Sequence, residues 1–170
     1  MFVEPHFLDT GPCLDAIVWA LSTRHVRLQG ALRDLKSEAE YNGFREALRR
    51  RRGLGRISLA TVEQLSRHLH QIDEVPGGRL RSEFWDATHE LLTHGGIDQV
   101  APPVSSGLPR KRLDELGFCD ASLISLVLAP EERERASVIV TADRTLVTRA
   151  REDGARAEDV RAWIGRVLRA

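Results

Sequence analysis

The chain is predicted to be an α/β protein, a three-layer α/β/α sandwich around a central parallel sheet, and three observations predict it. Val138 to Asp143, VIVTAD, is a short β-branched run that stops at an aspartate and passes directly into helix-forming sequence. Pro5 to Thr10, PHFLDT, does the same near the other end of the chain. Between them, strand-like apolar runs alternate with amphipathic helical stretches, the pattern of a parallel sheet covered on both faces. In such sheets ligands gather beyond the carboxyl ends of the strands, so Asp9 and Asp143 share one edge if their strands are neighbours. The 170 residues fit one domain, 1–170, long enough to bury a continuous core.

After the first strand, GPCLDAIVWALST puts Leu14, Ile17, Val18 and Leu21 on one helical face, with Pro12 in the first turn, where a missing N–H is harmless. Residues 26 to 52 carry Leu28, Leu32, Leu35, Phe44 and Leu48 at helical intervals, as one long helix or as two broken near Asn42-Gly43. Arg49 to Arg52 suit the negative end of that helix dipole. Arg56 to Ala60, RISLA, follows Gly53 and Gly55 and reads as the second strand, after which TVEQLSRHLHQI returns to helical spacing. Pro76-Gly77-Gly78 is a break. LRSEFWDATHELLTHG turns Leu80, Phe84, Leu91 and Leu92 inward and stops at Gly95-Gly96, before the third strand, IDQVAP. APPVSSGLP has no regular pattern, and a loop of this length is a candidate lid. Arg110 to Gly117 is a short helix, and Asp120 opens ASLISLVLA, the most apolar helix and therefore a central one. EERERAS is a solvated shoulder before the fourth strand, VIVTAD. RTLVTRAREDG and AEDVRAWIGRVL close the chain as two helices, the last holding Trp163, Ile164 and Val167.

The formal net charge is zero, which argues against binding nucleic acid through bulk charge and requires any polyanion to be held locally. Lys36 and Lys111 are the only lysines, and the arginines that make up the rest suit phosphate and carboxylate. The N-terminus lacks a basic region followed by a long apolar run, and no stretch is long enough to span a bilayer, so no membrane association is expected. Two cysteines, Cys13 and Cys119, make no disulfide framework, and the expected compartment is a reducing cytoplasm.

Four carboxylates stand at transitions between elements or just inside a helix: Asp9, Glu63, Asp120 and Asp143. Aspartate is a favoured helix N-cap, which accounts for each of the three aspartates taken singly, and Glu63 reads equally as an exposed helical residue. Serine, threonine or asparagine would cap about as well without mutual repulsion, however, and three aspartates at such positions ask for a cation. Hard oxygen ligands select Mg²⁺ or Mn²⁺, which act on phosphodiesters by activating water and neutralising charge.

FLDTGPCLDAI, GFCDASLISL and VIVTADRTLVTRA, in this order and at these separations, resemble the PIN-domain nucleases over nearly the whole chain. The resemblance implies a PIN fold and an Mg²⁺- or Mn²⁺-dependent ribonuclease. Its acidic residues match Asp9, Glu63, Asp120 and Asp143 as catalytic and metal-holding groups. Thr141 matches the polar residue of the last strand, and with Thr10 and Arg144 it is assigned to substrate contact. Where many relatives carry a second acid two residues after the last aspartate, Thr145 stands here. Some members are toxins, which implies an antitoxin or other regulatory protein, or a second copy in a homodimer, as partners beside RNA. A catalytically silent interaction or RNA-binding module on the same fold is the alternative.

Other constellations carry less. Cys13 and Cys119 fall near the acids, where an oxidation switch competes with the commoner fate of inert buried thiols. His68 and His70 are two apart on a helix and face different ways, and His89 and His94 also lack the i, i+4 spacing of a helical metal pair. Arg49 to Arg52, Arg110, Lys111 and Arg112 are candidates for RNA phosphates, against the usual role of solvated helix ends. Few aromatics and no aromatic-basic interleaving give no support to base stacking as the main source of binding. A receiver domain wants a lysine at a strand end, whereas both lysines fall in helical sequence. A haloacid-type phosphatase wants an aspartate where Gly11 stands.

Overall fold

A computed structural model describes residues 4–25, 28, 32–72, 79–101, 108 and 110–170. In chain order the elements are β1 (His6–Leu8), α1 (Thr10–Ser22), α2 (Glu38–Arg50), β2 (Gly55–Ser58), α3 (Leu59–Ile72), α4 (Arg79–Gly95), β3 (Ile97–Val100), α5 (Arg110–Leu128), α6 (Pro130–Glu134), β4 (Val138–Thr141), α7 (Arg144–Glu152), β5 (Ala157–Asp159) and α8 (Val160–Arg169). The strands form one parallel sheet in the order β3-β2-β1-β4-β5. The three-layer α/β/α class read from the alternation is therefore the observed one. β1 and β4 are direct neighbours, with His6 opposite Val138 and Leu8 opposite Val140. The strand order reverses between them, so their carboxyl ends open onto the crevice where doubly wound sheets bind ligands.

The pleat divides the core. Leu8, Ile57, Val138 and Val140 pack with α1, α2, α4 and α8 on one face, while Phe7 and Ile139 pack with Leu123, Ile124 and Val127 of α5 and Leu146 of α7 on the other. α5 is central as its composition predicts: Leu123 is fully buried.

Four expectations are corrected. The 26–52 region is not one long helix, and the break does not fall at Asn42-Gly43. α2 begins only at Glu38, where Ser37 and Glu40 form a capping box, and it runs unbroken through Gly43. Gly43 serves packing instead, because a Cβ there would stand 3.1 Å from Ile164 Cγ2 of α8. The stretch AEDVRAWIGRVL does not start as helix: its first three residues form β5, a fifth strand too short to show alternation, and Asp159 then caps α8 through Arg161 N at 2.9 Å. EERERAS contains a one-turn helix, α6. Asp120 does not open its helix, since Gly117 breaks α5 at φ 79°, ψ 174° and Asp120 lies in the first turn after the break. The Pro76-Gly77-Gly78 break and all of the APPVSSGLP loop except Ala101 and Leu108 lie outside the described residues.

Candidate active site

β1 ends at Leu8, and Asp9 leaves the sheet in extended conformation to cap α1, accepting a hydrogen bond from Thr10 N at 2.6 Å. Its other oxygen accepts from the Thr141 hydroxyl, also at 2.6 Å, and the same hydroxyl accepts from Asp143 N at 2.9 Å. The buried Thr141 thus joins the ends of the two neighbouring strands and fixes Asp9 relative to Asp143. Asp143 caps α7 through Oδ1, which accepts from Thr145 N at 2.6 Å and Leu146 N at 3.2 Å. Both aspartates are therefore caps, as the plain reading of the sequence allows. Burial raises the pKa of Asp9, its two hydrogen bonds act in the opposite sense, and the nearby Asp143 raises it again.

Asp120 differs from both. It caps nothing and accepts no hydrogen bond from the described residues, although it is largely withdrawn from solvent. Burial first, then the charges of Asp9 and Asp143, push its carboxyl up to about 7. α5 carries it to the site, and the preceding Cys119 thiol lies 3.6 Å from the Thr61 hydroxyl and 3.9 Å from that of Thr10. Asp9, Asp120 and Asp143, from segments far apart in sequence, meet at one edge.

Glu63 does not join that group directly. It is exposed on α3 and paired with Arg67 at 2.6 Å, one turn further along the same helix. Its connection to the site is a cavity of about 190 Å³ that it lines together with Gln64, Phe118 and Asp120. A further carboxylate near Asp9 is Asp34, which sequence reasoning missed. It lies against Gly11, so that a Cβ at Gly11 would collide with it. Burial, then Asp15 and then Asp9 push Asp34 up to about 6. Its segment is pinned to α1 by Asp15, which accepts from Arg33 N at 2.9 Å and Leu35 N at 2.7 Å, and by Trp19 Nε1, which donates to Leu35 O at 2.6 Å. No strand or helix end marks Asp34 in the sequence, and only the chain path brings it near. Gln64 was also overlooked: its side-chain oxygen accepts from the Thr10 hydroxyl, tying α3 to the residue after Asp9.

Of the candidate cations, Arg144 is exposed beside Asp143, and among the described residues it makes no ion pair. Arg112 is corrected from phosphate holder to structural residue, because it is 8% exposed and its guanidinium grips Asp153 through two hydrogen bonds and Glu115 through a third. Arg49 and Arg50 are both bound to Glu46. The thiols favour the inert reading: Cys13 is fully buried with its pKa raised by burial, and burial chiefly pushes Cys119 up to about 11. A larger cleft, about 520 Å³, lies between α1, α2 and α4, where Leu48, Arg52 and Gly95 lead into the strand beginnings. It is at the opposite end of the sheet from the carboxylates, and crevice position and electrostatics favour the smaller site.

Fold and site together define a doubly wound α/β protein with an acidic crevice at its topological switch point. The chain matches no known family profile and no curated protein. Among solved structures it is similar to PAE2754 from Pyrobaculum aerophilum, at a TM-score of 0.60 and 16% identity, over 99% of this chain and 92% of that one. At that identity the likeness shows the fold alone.

Proposed function

We propose that the chain is an Mg²⁺- or Mn²⁺-dependent endoribonuclease of the PIN type, with Asp9, Asp120 and Asp143 as the residues that hold the cation. The observation that carries this reading is Asp120. Asp9 and Asp143 are explained in part as caps, but a largely buried carboxylate without a hydrogen-bond donor among the described residues, within reach of the charges of two others, destabilises the fold and is relieved by a cation. Among the described residues no three His, Cys, Asp or Glu side chains form a ready metal cage. Mg²⁺ keeps several waters and takes only one or two carboxylates directly, so aspartates spaced to act partly through water still fit it.

A bound divalent ion supplies charge neutralisation at the scissile phosphate and lowers the pKa of an attacking water. The protein's own contribution is positional. Thr141 and the Thr10 N–H orient both oxygens of Asp9, which spares that carboxylate reorganisation during the reaction. Arg144 presents a cation beside Asp143, suited to a non-bridging phosphate oxygen. The products are 5′-phosphate and 3′-hydroxyl ends.

Cleavage of RNA that stops in excess chelator, returns with Mn²⁺ and is lost in Asp120→Asn tests the reading. Activity undiminished by chelator overturns it. A toxin role, with an antitoxin as partner, extends the same proposal and predicts growth arrest on expression that Asp143→Asn relieves. Thr145, where many relatives carry a second acid, and Glu63, paired with Arg67, favour a second reading, a silent interaction or RNA-binding module, which predicts no Mn²⁺ uptake in titration calorimetry.

A further inference from the structure

Apart from Asp120, the walls of the 190 Å³ cavity carry none of the residues assigned to the chemistry above. Phe118 forms one side and is 41% exposed, an unusual position for the first helical residue after a break. Gly117 directly precedes it, and its backbone, at φ 79°, ψ 174°, interrupts α5. Gln64 also lines the cavity, and its oxygen is occupied by the Thr10 hydroxyl, leaving its amide N–H groups to donate. Arg67 and Glu63, an exposed ion pair, mark the rim. The volume is well below the roughly 300 Å³ at which pockets begin to enclose drug-sized ligands, which suits one planar ring system rather than a folded strand.

We infer that this cavity is a nucleobase subsite. One unpaired base of a single-stranded RNA stacks on Phe118, with a carbonyl on its edge accepting from the Gln64 amide, while the adjoining phosphate reaches Asp120 and its partners. The inference rests on the ribonuclease reading and adds to it the residue that selects and positions the strand. Stacking is tolerant of base identity, and its loss typically weakens binding by a factor of roughly 5 to 150. The Gln64 donor then favours bases that offer an acceptor there.

The test uses a labelled single-stranded RNA whose cut site has been mapped, and versions in which each base in turn is replaced by an abasic ribose. With Mn²⁺, wild type should lose roughly 5- to 150-fold in kcat/KM at one abasic position next to the cut. Phe118→Ala should show a similar loss on intact RNA and no further loss at that position, whereas Phe118→Trp should restore wild-type behaviour. Circular dichroism and Mn²⁺ affinity of Phe118→Ala should be unchanged, since the side chain is largely outside the core. Wild-type rates in Phe118→Ala, or losses that multiply with the abasic substitution, overturn the subsite and leave the ribonuclease reading standing. If wild type cuts no RNA in Mn²⁺, the ribonuclease reading fails and the subsite fails with it.

Discussion

Replacing Asp120 by Asn should make the metal-free protein more stable, and the size of the gain follows from the site. The carboxyl is pushed from 3.8 to about 7 by burial, Asp9 and Asp143. Between those two pH values the folded state holds a proton that the unfolded state has released, so stability is lost as pH rises through the window and levels off above it. Each unit corresponds to about 1.4 kcal/mol, which sets a ceiling of roughly 4 kcal/mol, and solvent screening at a site near the surface lowers it to about 2–4 kcal/mol. Urea unfolding from pH 4 to pH 9 in chelator measures the difference between wild type and Asp120→Asn. The curves should nearly coincide at pH 4 and separate by about 2–4 kcal/mol above pH 7. Mn²⁺ at a hundred times its dissociation constant should then stabilise wild type by about 2.7 kcal/mol and the variant far less. A difference that is flat with pH, or a variant less stable than wild type at pH 8, would refute the argument that Asp120 is held in an electrostatically unfavourable place.

Three further outcomes test the scaffold. His6 is buried against Trp163, its ring nitrogens have no partner among the described residues, and burial chiefly lowers its pKa to about 3. Because the unfolded chain takes up the proton near 6.5, the His6 contribution to stability should fall by roughly 3 kcal/mol between pH 7 and pH 4, opposite in sign to that of Asp120, and His6→Phe should differ from wild type by that pH-dependent amount in a denaturation series. Arg112→Ala removes the two-bonded grip on Asp153 at the join of α5 and the end of α7, while Glu115 keeps Lys111 and Arg149, and the variant should lower the urea midpoint. Gly96 has φ 58°, and a Cβ there would stand 2.8 Å from Gly53 N, so Gly96→Ala should destabilise by roughly 1–3 kcal/mol and lower the melting temperature without altering Mn²⁺ affinity.

Strand ends marked by a β-branched run and an aspartate are local features, so β1 and β4 and their carboxylates are legible in the residue order. So is the buried face of α5, because burial on one side imposes a helical period. Three-residue β5 left no such trace: its pairing with β4 is a contact between segments, and alternation cannot show over so short a run. The α2 start went unread because Leu28, Leu32 and Leu35 lie at helical intervals, although Leu28 and Leu35 are buried without belonging to that helix.

The residues in order determined that this is a sheet of parallel strands between helices, and that Asp9 and Asp143 stand at strand ends, because side-chain period and terminal residues are properties of neighbouring positions. Only the tertiary structure decided which charges face one another. It set Asp120 against Asp9 and Asp143, drew Asp34 in, left Glu63 to Arg67 and turned Arg112 inward. Electrostatic energy depends on distance and burial in space, and separation along the chain fixes neither.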